Sequence, residues 1–332
     1  MNAPAPLLQV RDLKVQYPIR SRGLLRRQHI VLRAVEDVSF DLHAGESLGI
    51  VGETGCGKSS LGKALLQLVR PTAGSVVWQG RDLCALPPQE LRQVRQEMQI
   101  IFQDPLSSLN PRMTVGEIVA EPLRVHRPEM TAVAREQAVT DMFTRVGLRP
   151  DMTARYPNEF SGGQAQRISI ARAMILSPRV IVCDEPVSAL DVSIQAQICN
   201  LLRELQRETG VSLIFISHDL AIVRYMCQRV MVMYLGRMME LAERDALFAH
   251  PRHPYSQALI GAVPEPDPDR PVTDVATLDG ELPSPMNPPG GCVFNTRCRH
   301  CIPRCISARP AIEEAGPGHL VACHRWREIN SP

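Results

Sequence analysis

Ser47-Leu48-Gly49-Ile50-Val51-Gly52-Glu53-Thr54-Gly55-Cys56-Gly57-Lys58-Ser59 is the stretch that decides the fold of this chain. Ser47–Val51 is short and nearly all apolar, reads as a buried strand, and runs straight into a glycine-rich loop. A helix over Ser60–Val69 follows, with Leu61, Leu65, Leu66 and Val69 on one face and Pro71 and Gly74 as stop signals. Gly52 to Ser59 fills the pattern G-x-x-x-x-G-K-[ST], and a strand before it and a helix after it are the context that pattern needs. Glycines let the backbone curl until successive N–H groups point at phosphate oxygens. The helix that starts here adds the positive end of its dipole. Lys58 is then placed to pair with β- and γ-phosphates, and the Ser59 hydroxyl to ligate Mg²⁺. Cys56 reads as passive, because its position needs a small residue rather than a thiol.

Working outward, Arg179-Val180-Ile181-Val182-Cys183-Asp184-Glu185 is an apolar strand that ends in two acids. The run resembles the Walker B motif, which implies that Asp184 holds Mg²⁺ directly or through water and that Glu185 polarises an attacking water as general base. Phe160-Ser161-Gly162-Gly163-Gln164-Ala165-Gln166-Arg167 puts a small hydroxyl and two glycines ahead of a helix, which repeats the device for meeting a phosphate.

The remaining pattern alternates strands and helices. Leu8–Tyr17 and Val31–Leu42 read as strands, Gln89–Gln96 as a polar helix, and Met98–Phe102 as a buried strand. From Asp104 to about Met174 the pattern is mostly helical, broken at Pro105, Pro111, Pro122, Pro128, Pro150 and Pro157. Ile194–Glu208 reads as helix and Val211–Ser217 as strand, and Val230–Tyr234 with Met238–Leu241 reads as a hairpin joined by Gly236-Arg237. Strands in alternation with helices imply an α/β core with a mainly parallel sheet. Pro251–Pro289 is proline-rich and weakly periodic, and reads as a linker or loop-rich strap.

Composition narrows the function classes. A net charge of +2 does not point to nucleic acid. No apolar run approaches the ~20 residues of a spanning helix, so a membrane connection would run through a partner. Of ten cysteines, Cys292, Cys298, Cys301, Cys305 and Cys323 crowd the last 41 residues. No secretory signal is apparent, and in that setting such a cluster binds metal more often than it forms disulfides.

Ser161-Gly162-Gly163-Gln164 upstream of a strand ending in Asp-Glu resembles the ATP-binding subunits of ABC transporters, where SGGQ is the signature motif. The resemblance implies a P-loop (RecA-like) α/β core with an antiparallel β subdomain and a helical subdomain at about 104–174. It places the ATP-binding domain at 1–250 and a C-terminal extension at 251–332. It implies ATP and Mg²⁺ as cofactors, held by Gly52, Glu53, Thr54, Gly55, Cys56, Gly57, Lys58, Ser59, Ser60 and Asp184. Gln103 looks like the Q-loop glutamine, which also meets Mg²⁺. Ser188-Ala189-Leu190-Asp191 resembles the D-loop, His218 the switch histidine, and Tyr17 the aromatic that stacks on adenine. Ser161, Gly162, Gly163 and Gln164 would close on a nucleotide held by a second ATPase subunit. Ala165 departs from the Arg or Lys often found there.

The tail narrows the resemblance to the dipeptide and oligopeptide permease subfamily, and within it most to the "F"-type ATPase of the dipeptide permease. Arg252-His253-Pro254-Tyr255-Ser256-Gln257-Ala258-Leu259, Gly280-Glu281-Leu282-Pro283-Ser284-Pro285 and Phe102-Gln103-Asp104-Pro105 carry it. This implies an ATPase that drives peptide import from the cytoplasmic face of a bacterial inner membrane. Its partners would be a homologous ATPase, two permease subunits and an extracytoplasmic solute-binding protein, without nucleic acid. Nickel or glutathione as cargo, and a soluble non-transport ABC ATPase, are the alternatives. Cys292, Cys298, Cys305 and Cys323 match the subfamily's four-cysteine tail, which implies a [4Fe–4S] cluster; Cys301 is a further candidate ligand and zinc the alternative metal. Pro18–Gln28, with Arg20, Arg22, Arg26 and Arg27, reads as a solvated hairpin insertion, or as a contact for anionic lipid or a permease loop.

Overall fold

In the computed structural model, which describes residues 5–20, 29–262 and 280–330, contacts gather the chain into two units. Arg22, Arg26 and Arg27 of the basic insertion lie outside the described residues, as does 263–279 of the proline-rich stretch.

One unit comprises Leu42–Ser47 and Ala85–Ser217, with the residues leading to Leu7. Its strands Met98–Ile101, Val180–Asp184 and Ser212–Ile216 are parallel, with Met98 opposite Val180 and Val180 opposite Ser212. The last two are buried along their whole length, Asp184 and Ser212 included, as mostly apolar strands of a parallel sheet are. Helices Val115–His126, Ala132–Arg145, Gly162–Met174 and Val192–Thr209 accompany them. Of the six prolines read as breaks, Pro111 and Pro128 do lie between helices, and only Pro122 sits inside one. The helix Val115–His126 runs through Pro122, because Ile118, Val119, Ala120 and Leu123 keep one buried face continuous across it. Pro105, Pro150 and Pro157 open helical turns instead, at the first position, where a missing N–H costs nothing.

The other unit comprises Leu8–Asp41, Leu48–Cys84 and His218–Pro332. His29–Leu42, Leu8–Arg20, Ala73–Trp78 and Arg81–Asp82 lie side by side in that order in one sheet, with the last three antiparallel. The strand Leu48–Val51 pairs parallel with Arg229–Val232, whose strand turns back antiparallel into Arg237–Glu243. The turn is Leu235-Gly236, one residue earlier than the sequence suggests. Both residues have positive φ, +45° and +77°, as a two-residue hairpin turn that matches strand twist requires. The helix after the glycine loop is Lys58–Leu65; it ends early because Gln67 turns left-handed, φ +52°, and its side chain bonds the Ala64 carbonyl.

Two features of the C-terminal region are not evident from periodicity. Pro254–Gly261 is a helix inside the stretch read as a linker, and Glu313–Gly316 and His319–Val321 add two antiparallel strands beside Arg237–Glu243. A buried carboxylate joins these pieces. Glu240 is fully enclosed and accepts from Arg252 N–H at 2.7 Å and His253 N–H at 2.9 Å, and its Oε1 lies 2.6 Å from His319 Nε2. A charge so deeply buried is tolerable only with such partners. The rings of Tyr234, Tyr255 and Phe294 meet edge-on or tilted, with centroids 4.7–5.3 Å apart, and fasten the tail to the hairpin.

His253 supplies a pH prediction. Its Nδ1 accepts from the Tyr255 N–H at 3.0 Å, which puts the neutral ring's proton on Nε2. Burial drives its pKa down from 6.5 to about 4, against the opposing pull of Glu240. The unfolded chain therefore takes up a proton that the folded chain refuses. Stability from this site is complete above about pH 6.5 and declines as pH falls toward 4. Urea unfolding across that window should show the decline in wild type, and His253→Asn, which keeps a capping acceptor but does not titrate, should make it shallower.

Candidate active site

The loop Gly52–Ser59 is shaped around Lys58. The ammonium is buried and donates to the carbonyl oxygens of Gly52 at 2.7 Å and Glu53 at 3.1 Å. A buried ammonium needs such acceptors, and only a tightly curled backbone can present them. Gly57 makes the curl possible: its φ is +104°, and a Cβ there would collide with the Ala34 carbonyl oxygen. Gly236 N–H, in the hairpin turn, holds the Cys56 carbonyl at 2.8 Å. The Cys56 thiol is buried, and burial raises its pKa against the pull of Lys58, so it stays neutral and fills space. Ser59 and Ser60 lie in the first turn of the helix Lys58–Leu65. The Tyr17 hydroxyl donates to Ser60 Oγ at 3.4 Å, so the sequence-predicted aromatic does reach this helix. His218 is exposed and stands beside Asp219, which caps the helix Leu220–Met226.

Two residues near this loop escape sequence reasoning. Tyr255 is buried, and its hydroxyl accepts the Glu53 N–H at 3.0 Å; Arg297 Nη1 donates to both Glu53 carboxylate oxygens at 2.9 Å. Tyr255 stands out only as part of the His-Pro-Tyr run, and a separation of 244 positions leaves no local signal for Arg297.

In the first unit, the structure brings Gln103 and Glu185 together. Gln103 Nε2 donates to Glu185 Oε2 at 3.0 Å. Asp184 is buried at the end of its strand. Glu185 follows it with a left-handed φ of +48°, its N–H bound to the Ile216 carbonyl at 3.0 Å. Gln195 donates to the carbonyls of Val187 and Leu190 at 3.1 and 3.0 Å, which fixes the turn that carries Ser188–Asp191. Ser161 caps the helix Gly162–Met174 in a reciprocal box with Gln164. The first-turn N–H groups of that helix, Gly162 and Gly163 included, have no intrahelical acceptor, as at any helix start. Ala165 is fully buried.

The tail thiols neighbour one another. Burial pushes Cys292 up to about 12 and Cys323 to about 11, and the nearby thiols Cys298 and Cys305 add to both shifts. Cys292 N–H bonds the Cys305 carbonyl at 2.8 Å. Cys298, Cys301 and Cys323 are partly exposed. Among the described residues, no group of three or more His, Cys, Asp or Glu side chains converges closely enough to grip a single ion.

Residues 35–188 match the ABC transporter family, and residues 239–305 match the oligopeptide/dipeptide transporter C-terminal region. The chain is 53% identical over 319 residues to the oligopeptide transport ATP-binding protein OppF of Escherichia coli, covering 96% of this chain and 95% of that protein. It is 50% identical over 319 residues to the Haemophilus influenzae protein of the same name, covering 96% of each. Among solved structures it resembles the ATP-binding cassette MJ0796, a dimer in a post-hydrolysis state bound to ADP and Pi. That likeness has a TM-score of 0.64 and 26% identity over 71% of this chain and 98% of the other. CbiO1 of Clostridium perfringens, part of the ABC transporter complex CbiONQ, gives a TM-score of 0.63 at 26% identity over 74% and 91%.

Gly57→Ala tests the loop. A side chain at this φ costs about 1–2 kcal/mol before any clash, and the Ala34 carbonyl must then move. Titration with a fluorescent ATP analogue should show affinity reduced by more than about tenfold.

Proposed function

The chain belongs to the ABC transporter family of ATP-binding proteins, and from that membership we propose that it hydrolyses ATP to power import of oligopeptides or dipeptides across a bacterial cytoplasmic membrane. The observation that carries the catalytic part is the Gln103–Glu185 hydrogen bond. It orients a carboxylate at the end of a buried strand, one residue beyond Asp184, where a general base is needed. The peptide cargo rests on the C-terminal match and on the oligopeptide transport role of the relatives.

The residue roles follow from their chemistry. Lys58 rests on two carbonyls, and its ammonium is thereby aimed for β- and γ-phosphate oxygens. The Ser59 hydroxyl, the Asp184 carboxylate and the Gln103 amide are each oxygen donors of the kind Mg²⁺ takes. When bound, Mg²⁺ neutralises charge on the phosphate tail. Glu185 accepts the proton of the attacking water, and the Gln103 N–H on Oε2 fixes the direction in which it does so. His218 contacts the γ-phosphate, and Tyr17 supplies a flat face for adenine. Ser161, Gly162 and Gly163 present a helix N-terminus to a nucleotide held by a second, homologous ATPase, with Gln164 as the cap that shapes it. Two permease subunits, served by an extracytoplasmic binding protein, convert the cycle into transport while this chain stays peripheral at the cytoplasmic face. No helix among the described residues is long and apolar enough to cross a membrane.

The tail carries a [4Fe–4S] cluster on Cys292, Cys298, Cys305 and Cys323, with Cys301 beside them. Supporting this, Cys292 and Cys323 each feel the nearby thiols Cys298 and Cys305, and thiolate sulfur is the donor an iron–sulfur cluster takes.

Two experiments follow. Copurified with its second ATPase and two permeases in vesicles, the chain should show peptide-stimulated phosphate release. Glu185→Gln should keep nucleotide binding and lose turnover by about 10²–10⁴-fold; hydrolysis at the wild-type rate would remove Glu185 as base. Anaerobically purified protein should contain iron and absorb broadly in the visible, and Cys305→Ser should lose both; colourless, iron-free wild type would end the cluster reading.

A further inference from the structure

Glu53 is engaged at three points, and two of the partners come from far along the chain. Its carbonyl oxygen accepts from Lys58 Nζ at 3.1 Å. Its N–H donates to the Tyr255 hydroxyl at 3.0 Å. Its two carboxylate oxygens each accept from Arg297 Nη1 at 2.9 Å. The Arg297 side chain is only 6% exposed and that of Glu53 23%, so water screens the pair weakly. Arg297 is itself held: Nη1 also donates to the Tyr234 hydroxyl at 3.4 Å, and the guanidinium lies 5.9 Å from that ring's centroid. Tyr234, Tyr255 and Phe294 pack against one another behind it.

The position of this ion pair matters more than its strength. An ion pair removed from water contributes little net stability against apolar packing of the same volume. This one sits on the residue whose carbonyl supports the phosphate-binding lysine. An unpaired carboxylate in that loop would also repel an incoming phosphate tail, and Arg297 cancels that charge.

We infer that the C-terminal segment is a working part of the phosphate loop, in which Arg297 acts as a positioning residue for nucleotide binding. It fixes and neutralises Glu53, and through the Glu53 carbonyl it sets Lys58. This rests on the reading of Gly52–Ser59 as a nucleotide site. Arg297 touches no reacting atom in this scheme; it acts through the loop.

The test uses the full chain, MANT-ATP with Mg²⁺, and steady-state ATP hydrolysis. Arg297→Ala should weaken analogue binding about tenfold, with the KM for ATP rising by a similar factor and kcat falling less. Arg297→Lys should recover part of the loss, because the charge returns without the planar fork. In a Glu53→Gln background, Arg297→Ala should cost at most about twofold, since no carboxylate is left uncompensated. A merely structural clasp would instead lower the melting temperature and leave KM alone. Folded Arg297→Ala with wild-type affinity overturns the inference, as does an equal loss in the Glu53→Gln background. If Arg297→Ala does not fold, Arg297→Gln replaces it in both backgrounds, with the same outcomes deciding. Wild-type chain that binds no analogue overturns the nucleotide-site reading, and this inference with it.

Discussion

A buried lysine ammonium must be hydrogen-bonded, and Lys58 meets that demand chiefly with two backbone carbonyls, with Cys56 Sγ as a weaker acceptor at 4.0 Å. The requirement shapes everything around the loop. The carbonyls of Gly52 and Glu53 must turn inward, so the chain must curl, so Gly57 must take a backbone conformation that a side chain would obstruct. The curl needs outside support, which comes from the hairpin turn through Gly236 N–H and from Tyr255 and Arg297 through Glu53. Removing any of these supports leaves a polar group of the loop unpaired. In a buried setting that costs about 1–3 kcal/mol, comparable to a large share of a protein's net stability.

The two kinds of turn in this chain handle backbone strain in opposite ways. At Gly57 the strain is abolished by the absence of a side chain, because only the backbone works there. At Glu185 the backbone is also left-handed, φ +48°, yet the residue is a glutamate. Such a conformation costs a non-glycine residue about 1–2 kcal/mol. Glycine would remove the cost together with the carboxylate. The strain is held by the N–H bond to Ile216 and by the Gln103 amide on the carboxylate. Gln67 and Leu235 share this backbone conformation, so what sets Glu185 apart is the hydrogen bond that holds its carboxylate rather than the strain itself.

Legibility in the sequence followed the range of the interaction. The glycine loop, the Asp184–Glu185 strand end and the Ser161 helix start are local devices, and their residues could be named from spacing and chemistry. The buried strands announced themselves as continuous apolar runs. Pro122 misled, because a local rule about helix breaking was outweighed by a continuous buried face. The strands Glu313–Gly316 and His319–Val321 were invisible, being too short for alternation and ordered by pairing, the second with Arg237–Glu243 and the first with the second. Arg297 was invisible for the same reason in stronger form: its partner lies 244 positions away.

The tail also explains how an aromatic-poor chain holds a loop-rich end. Aromatic residues make up only 4% of the sequence, yet Tyr234, Tyr255 and Phe294 converge at one point. Phe294 stands between Cys292 and Cys298, and Arg297 three residues beyond it, so one short loop carries a ring for anchoring and a charge for the phosphate loop. A ring cluster is non-directional and tolerates small shifts; a buried Arg–carboxylate contact does not. Anchoring by the rings therefore sets where the loop lies, and Arg297 then determines how it lies. The division of labour makes the hydrophobic contacts a prerequisite for the polar one: without the rings, Arg297 would have to bear both the entropy of ordering the tail and the desolvation of its own charge.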